Sequence, residues 1–149
     1  MKSIPSDRGP LLGALLRLAH QSLIRRVLDS LSEKGYDDVQ ASHFAPMQAL
    51  WDHPEGLRVT ELAAKAKITK QSMGELVEQL VRRGYLARIS DPDDGRAWRV
   101  RITPLGRRAS QLARKIVRDV ETDWSRRIGA KRIEDMRESL TMLLRGGSE

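Results

Sequence analysis

The chain has no cysteine, which excludes disulfides, thiolate metal sites and any thiol-based redox switch. Histidine is sparse. His20, His43 and His53 are the only three, and they have no compact metal-ligand spacing, so no metal is expected. His53 lies in the turn cluster "DHPEG". The chain also lacks G-x-S-x-G, a P-loop, H-E-x-x-H and a dinucleotide fingerprint, so no enzyme activity and no cofactor are expected. No hydrophobic run approaches membrane-spanning length, and the first residues, MKSIPSDRGPLLGALLRLA, lack a small-residue cleavage site. A cytoplasmic location without membrane contact is the expectation. There is no internal repeat and no low-complexity segment.

What is present is a globular composition: 149 residues, 40% hydrophobic and 32% charged, with a net charge of +7. That length fits one domain with a real core. The charge is concentrated. Residues 58–108 hold twelve Lys/Arg against six Asp/Glu, leaving fifteen bases against fourteen acids in the rest of the chain. A basic middle third suggests a polyanion-facing patch, with a solvated charged face as the plain alternative.

The apolar spacing predicts a mainly α protein. Leu12, Leu16, Ala19, Leu23, Val27 and Leu31 recur at three- and four-residue steps over 10–34, with Pro10 suited to the first turn and Gly35 just past the end. Leu11, Leu15 and Leu18 widen this stripe beyond what one small partner helix covers. It calls for a second layer or a second chain. A helix over about 41–51 tolerates Pro46 if Ser42 is near its N-cap. Thr60 is expected to cap a short helix, "ELAAKAK", with Leu62 and Ala63 inward and Lys65 and Lys67 outward. Thr69 should cap the next, whose apolar face is Met73, Leu76, Val77 and Leu80, and which Gly84 ends. The tight link between these two helices has helix-turn-helix spacing.

Residues 85–90 and 97–102 alternate apolar with polar around the turn-rich "DPDDGR", a two-stranded hairpin with Trp98, Val100 and Ile102 on one face and Arg99 and Arg101 on the other. Thr103-Pro104 then reads as an N-cap and N1 proline opening a long helix that Gly129 breaks. A last helix from about Lys131 places Ile133, Met136, Leu140 and Leu143 on one seam before "RGGSE" frays. A helix-turn-helix followed at once by a hairpin is a winged helix.

With "ELA", "ITKQSMGELVEQL", "RGYL", "DPDDGRAWRVRIT" and "TPLG" in this order over roughly 40–108, the sequence resembles the MarR family of transcriptional regulators. The flanking helices match in periodicity only. The resemblance implies a winged helix-turn-helix fold, mainly α with a small β-wing, with the DNA-binding part at 41–103 and dimerisation helices at 10–34 and 104–144. It also implies a homodimer that presents two winged helices to double-stranded DNA at a palindromic operator. Packing of the terminal stripes within a monomer is the alternative. A repressor relieved by a small-molecule ligand is the expected function. A winged helix used for protein contacts, or a sequence-indifferent DNA packager, is the runner-up.

On this reading Thr69, Lys70, Gln71, Ser72 and Glu75 lie on or near the outward side of the recognition helix, in reach of major-groove base edges. Gln71 suits an adenine edge, and Lys70 a guanine or a phosphate. Glu75 either accepts from cytosine, positions Lys70 or Gln71, or faces solvent. Arg82, Arg83, Arg88, Arg99 and Arg101 are expected backbone clamps. In the wing, Arg96 is expected to enter the minor groove, its guanidinium oriented by Asp94, with Asp91 a second candidate. Family members also bind small aromatic or anionic ligands in a cleft between the dimer helices and the winged helix. Here His20, Phe44, Met47, Trp51 and the helix after Pro104 are candidates to line it, although such a set is more often plain core.

Overall fold

Helix ends decide how this chain is divided. A computed structural model describes residues 9–147, in which α1 (Leu12–Glu33), a 3₁₀ turn (Ala41–His43), α2 (Phe44–Leu50), α3 (Val59–Ala66) and α4 (Lys70–Arg82) precede the strands β1 (Leu86–Ser90) and β2 (Trp98–Ile102); α5 (Pro104–Ile128) and α6 (Ala130–Gly146) follow. The expected order of four helical segments, a hairpin and two helices is what forms.

Three of the helices stop in the same way. The Tyr36 N–H donates to the Leu31 carbonyl and that of Gly35 to Ser32; Tyr85 and Gly84 repeat the pattern on Leu80 and Val81, and Ile68 and Lys67 on Ala63 and Ala64. This pair of bonds closes a helix when the residue just past its end turns left-handed. Gly84 does so at φ +82°, which sends the chain from α4 directly into β1.

The N-termini differ from expectation in three places. Pro10 lies ahead of α1 rather than in its first turn, because the Leu11 carbonyl already accepts the first backbone bonds, from Ala14 and Leu15. Gln40, not Ser42, precedes the second helical segment. There the Gln40 N–H donates to His43 Nδ1, and the 3₁₀ turn puts Pro46 in the first turn of α2, where it disrupts no hydrogen bond. Arg58, not Thr60, stands at the N-cap of α3, where its N–H donates to Glu61 Oε1. Thr69 and Thr103 do cap α4 and α5, accepting from the N–H groups of Ser72 and Gly106.

The core draws one to three side chains from nearly every element: Val27 and Leu31 of α1, Leu50 of α2, Leu62 and Ala63 of α3, Met73, Val77 and Leu80 of α4, Leu86 and Val100 of the strands, and Ile116 and Val120 of α5. Strands β1 and β2 pair antiparallel with Leu86 opposite Ile102 and Ser90 opposite Trp98. The expected two faces of β2 hold, but only Val100 is fully buried; Trp98, at the far end, is 60% exposed. The chain before α3 adds a bridge, with Leu57 and Val100 exchanging backbone bonds. The terminal helices pack together, α1 and α6 both on α5, and Arg26 of α1 donates to Asp123 of α5. Helix α6 buries no residue fully and runs through Gly146, so Arg145 and Gly146 are helical where fraying was expected, because no proline or left-handed residue interrupts the turn; Ser148 and Glu149 lie outside the described residues. No helix of the described residues is long and apolar enough to cross a membrane.

Candidate nucleic-acid interface and effector cavity

The helix-turn-helix places its polar residues where the sequence suggests. The apolar face of α4 is buried through Met73, Val77 and Leu80, so Thr69, Lys70, Gln71, Ser72 and Glu75 face outward and are all exposed. The Thr69 hydroxyl donates to Ser72 Oγ, leaving the Ser72 proton free for an outside acceptor. Glu75 forms no hydrogen bond or ion pair with Lys70 or Gln71 among the described residues, so it does not position them in this state. Of the twelve basic side chains in residues 58–108, only Arg58 and Arg99 are in ion pairs among the described residues. Unpaired cations at an exposed helix end and hairpin make a surface that attracts polyanions.

The wing is organised differently from the sequence expectation. Arg88, Asp94 and Arg96 are exposed, and Arg96 projects from the hairpin tip. Asp94, however, accepts from the backbone N–H of Arg96 at 3.0 Å rather than from its guanidinium. An aspartate two residues before the N–H it binds closes a local turn, and that geometry shapes the loop while leaving the arginine head free. The Ala97 N–H donates to the Asp94 carbonyl and that of Asp91 to the Ala97 carbonyl, completing the tip.

Asp91 does not reach Arg96 either. Its carboxylate, on a residue 2% exposed, accepts from the Asp93 N–H at 2.9 Å and from Arg58 Nε at 2.6 Å, with Arg99 Nε 3.3 Å away. Arg99 also donates to Asp93 at 3.1 Å, so this expected phosphate clamp is committed to the wing itself. The backbone N–H of Asp93 and the guanidinium groups hold the Asp91 carboxyl down at about 2. A carboxyl depressed in this way contributes stability above its ordinary value of 3.8 that is lost as pH falls through about 2. The Arg58 partnership spans 33 positions of sequence and has no local signal.

Sequence reasoning also passed over His43. It is completely buried, its Nδ1 accepts from the Gln40 N–H, and its Nε2 therefore carries the proton and donates to Gln79 Oε1 at 2.9 Å. The pair ties the segment before α2 to the recognition helix.

His20, Phe44, Met47 and Trp51 come together as expected. With Ile24, Ser110, Arg114, Val117 and Arg118 they line one cavity of about 520 Å³ between α1, α2 and α5. Trp51 carries two cations, the guanidinium carbons of Arg114 and Arg107 lying 4.5 and 4.8 Å from its ring centre. Ser110 Oγ is buried without a partner among the described residues.

Comparison with known proteins agrees with this architecture. The model of the MarR family matches residues 37–97. No curated protein matches the chain. Among solved structures, MarR from E. coli in its reduced form is 20% identical at a TM-score of 0.76, over 93% of this chain and 99% of that one. The S. aureus MepR–DNA complex is 18% identical at a TM-score of 0.74, over 93% and 99%. The transcriptional repressor CouR, bound to a 23-mer DNA duplex, is 22% identical at a TM-score of 0.72 over the whole of both chains. These likenesses show a shared fold that includes the terminal helices. The match over residues 37–97, set in that fold, makes the winged helix of this chain similar to that of the MarR family.

Proposed function

We propose that the protein is a sequence-specific double-stranded DNA-binding transcriptional regulator, a repressor that binds a palindromic operator as a homodimer and releases it on binding a small molecule. The observation that carries the reading is the exposed, unpaired set of cations and polar side chains on the N-terminal part of α4 and at the wing tip, built on a MarR-family winged helix. Two of its structural relatives are held on DNA. In this reading Thr69, Lys70, Gln71, Ser72 and Glu75 face base edges in the major groove, Arg96 enters the minor groove, and Arg88 clamps the backbone. Asp94 and Arg99 serve by shaping the wing.

The terminal helices supply the dimer. Leu11, Leu12, Leu15, Leu16 and Leu18 of the α1 end and Met136, Met142, Leu143 and Leu144 of α6 are all exposed in the single chain. Large apolar side chains exposed together at the ends of two helices mark a surface made to be covered by a partner. The cavity beside α5 is the effector site, with Trp51 as its aromatic wall and Arg114, Arg118 and His20 as its polar groups.

The test is competition between selected and random duplex at moderate salt. A regulator shows a specificity ratio of at least ~10³, and Arg96→Ala weakens the selected complex several-fold without moving the melting temperature. Equal affinity for both duplexes would reduce the protein to a DNA packager, and an unaffected Arg96→Ala complex would remove the minor-groove contact.

A further inference from the structure

The contact between Arg58 and Asp91 leads beyond the recognition helix and wing tip. It starts with backbone geometry. Gly56 has φ +83°, and a Cβ there would stand 2.7 Å from the Val100 carbonyl oxygen, so only glycine lets the chain come alongside β2 at this point. Leu57 then exchanges both backbone bonds with Val100, at 2.8 and 3.0 Å. The next residue, Arg58, is left at the start of α3 with its side chain beside the wing.

The two ends of the Arg58–Asp91 pair are held with unequal freedom. Asp91 is fixed: its side chain is fully buried, one oxygen takes the Asp93 N–H, and the other takes Arg58 Nε. Arg58 is tethered by Nε alone, and its side chain is 41% exposed. Among the described residues neither of its terminal nitrogens has a hydrogen-bond partner. Arg99 shares the carboxylate but is spent on Asp93 and mostly buried, so Arg58 is the member of the cluster whose donors remain available. An arginine that only neutralises a buried acid commonly meets it with two parallel N–H bonds. Here one bond fixes the guanidinium plane and leaves the four N–H donors of the two terminal nitrogens without a partner among the described residues. The paired N–H groups of those nitrogens match the oxygens of a phosphodiester.

We propose that Arg58 is a DNA-phosphate contact at the junction of α3 and the wing, with Asp91 as its positioning residue. The inference rests on the DNA-binding reading above. It adds a third anchor between the recognition helix and the wing tip, and it explains why a buried carboxylate is kept in a basic surface. An acid at Asp91 costs attraction for the polyanion, and it returns that cost by holding one cation in a single orientation so that less side-chain freedom is lost on binding.

The experiment is a fluorescence anisotropy titration of the full chain on a mixed-sequence duplex of about three helical turns, repeated across ~50–200 mM salt. A phosphate contact is indifferent to sequence, so no operator is needed. Arg58→Gln, which can still donate to Asp91, is expected to lower the slope of log affinity against log salt by about 0.9 and to weaken binding roughly 3- to 10-fold. Arg58→Lys keeps the charge but not the fork, and restores the slope without the full affinity. Asp91→Asn weakens binding when Arg58 is present and has no further effect in the Arg58→Gln background. An unchanged slope in Arg58→Gln overturns the phosphate contact. An Asp91→Asn loss of equal size in both backgrounds overturns the positioning role, since the acid would then act by supporting the wing alone. If the unaltered protein binds no duplex at the lowest salt, the DNA-binding reading itself fails, an outcome separate from either of these.

Discussion

Lys67 stands at φ +55°, the one non-glycine residue in the left-handed region among those described. It fills the position at the end of α3 that Gly35 and Gly84 fill at the ends of α1 and α4. A side chain there costs roughly 1–2 kcal/mol, because Cβ crowds the carbonyl oxygen. Lys67→Gly is therefore expected to stabilise the fold by about 1 kcal/mol, a rise in melting temperature of roughly 2–4 °C for a chain of this size. Thermal unfolding at fixed protein concentration checks this, and a lower melting temperature would show that the turn between α3 and α4 bears no strain at Lys67. At this scale the caps Thr69 and Thr103 were legible because a cap binds three residues ahead in its own chain. The partners of Asp91 were not. Its charge could be counted in the sequence, but which arginine it meets depends on how the segment before α3 lies against β2. Arg96 was correctly expected at the exposed tip, while its expected tether from Asp94 goes to the backbone instead.

Helices are set against one another here by aliphatic packing and by a few buried polar pairs. His43 and Gln79 form the pair that joins the 3₁₀ turn to α4. Truncating His43 would leave the Gln40 N–H and the Gln79 amide without partners and open a cavity in a closed site. His43→Ala should destabilise by ~2–4 kcal/mol, read as a shift in the urea midpoint at fixed concentration. A cost below about 0.5 kcal/mol would mean the pair is incidental, as surface substitutions are. The elements themselves were readable because each buries a regular stripe: Met73, Val77 and Leu80 in α4, Ala109, Ile116 and Val120 in α5. Their N-termini were read less well. Gln40 and Arg58 are poor capping residues by type, and they start helices because His43 and Glu61, three residues on, accept from their backbone N–H groups.

The molecule as a whole has too little covering for its ends. From Leu11 to Leu18 and from Met136 to Leu144, apolar side chains stay in solvent while the middle of the chain closes its core. The width of the first stripe already announced this in the sequence; which neighbour covers it could not be read from one chain. On the dimer reading, Leu15→Glu buries a charge at the interface and should shift the protein from dimer to monomer in sedimentation at micromolar concentration. A variant that stays dimeric would place the interface elsewhere. The cavity by contrast was assembled as expected, because His20, Phe44, Met47 and Trp51 lie on the faces of α1 and α2 that α5 crosses.

Two winged helices related by a two-fold axis read DNA in a way a single one cannot, and their spacing is imprinted on the sequences they hold. Selection of bound fragments from a random duplex library measures this directly. A palindrome whose half-sites are centred about one helical turn apart, roughly 10 base pairs or a multiple of it, is expected to be enriched. Recovery of unenriched sequence, or of a single half-site without its mate, would contradict it.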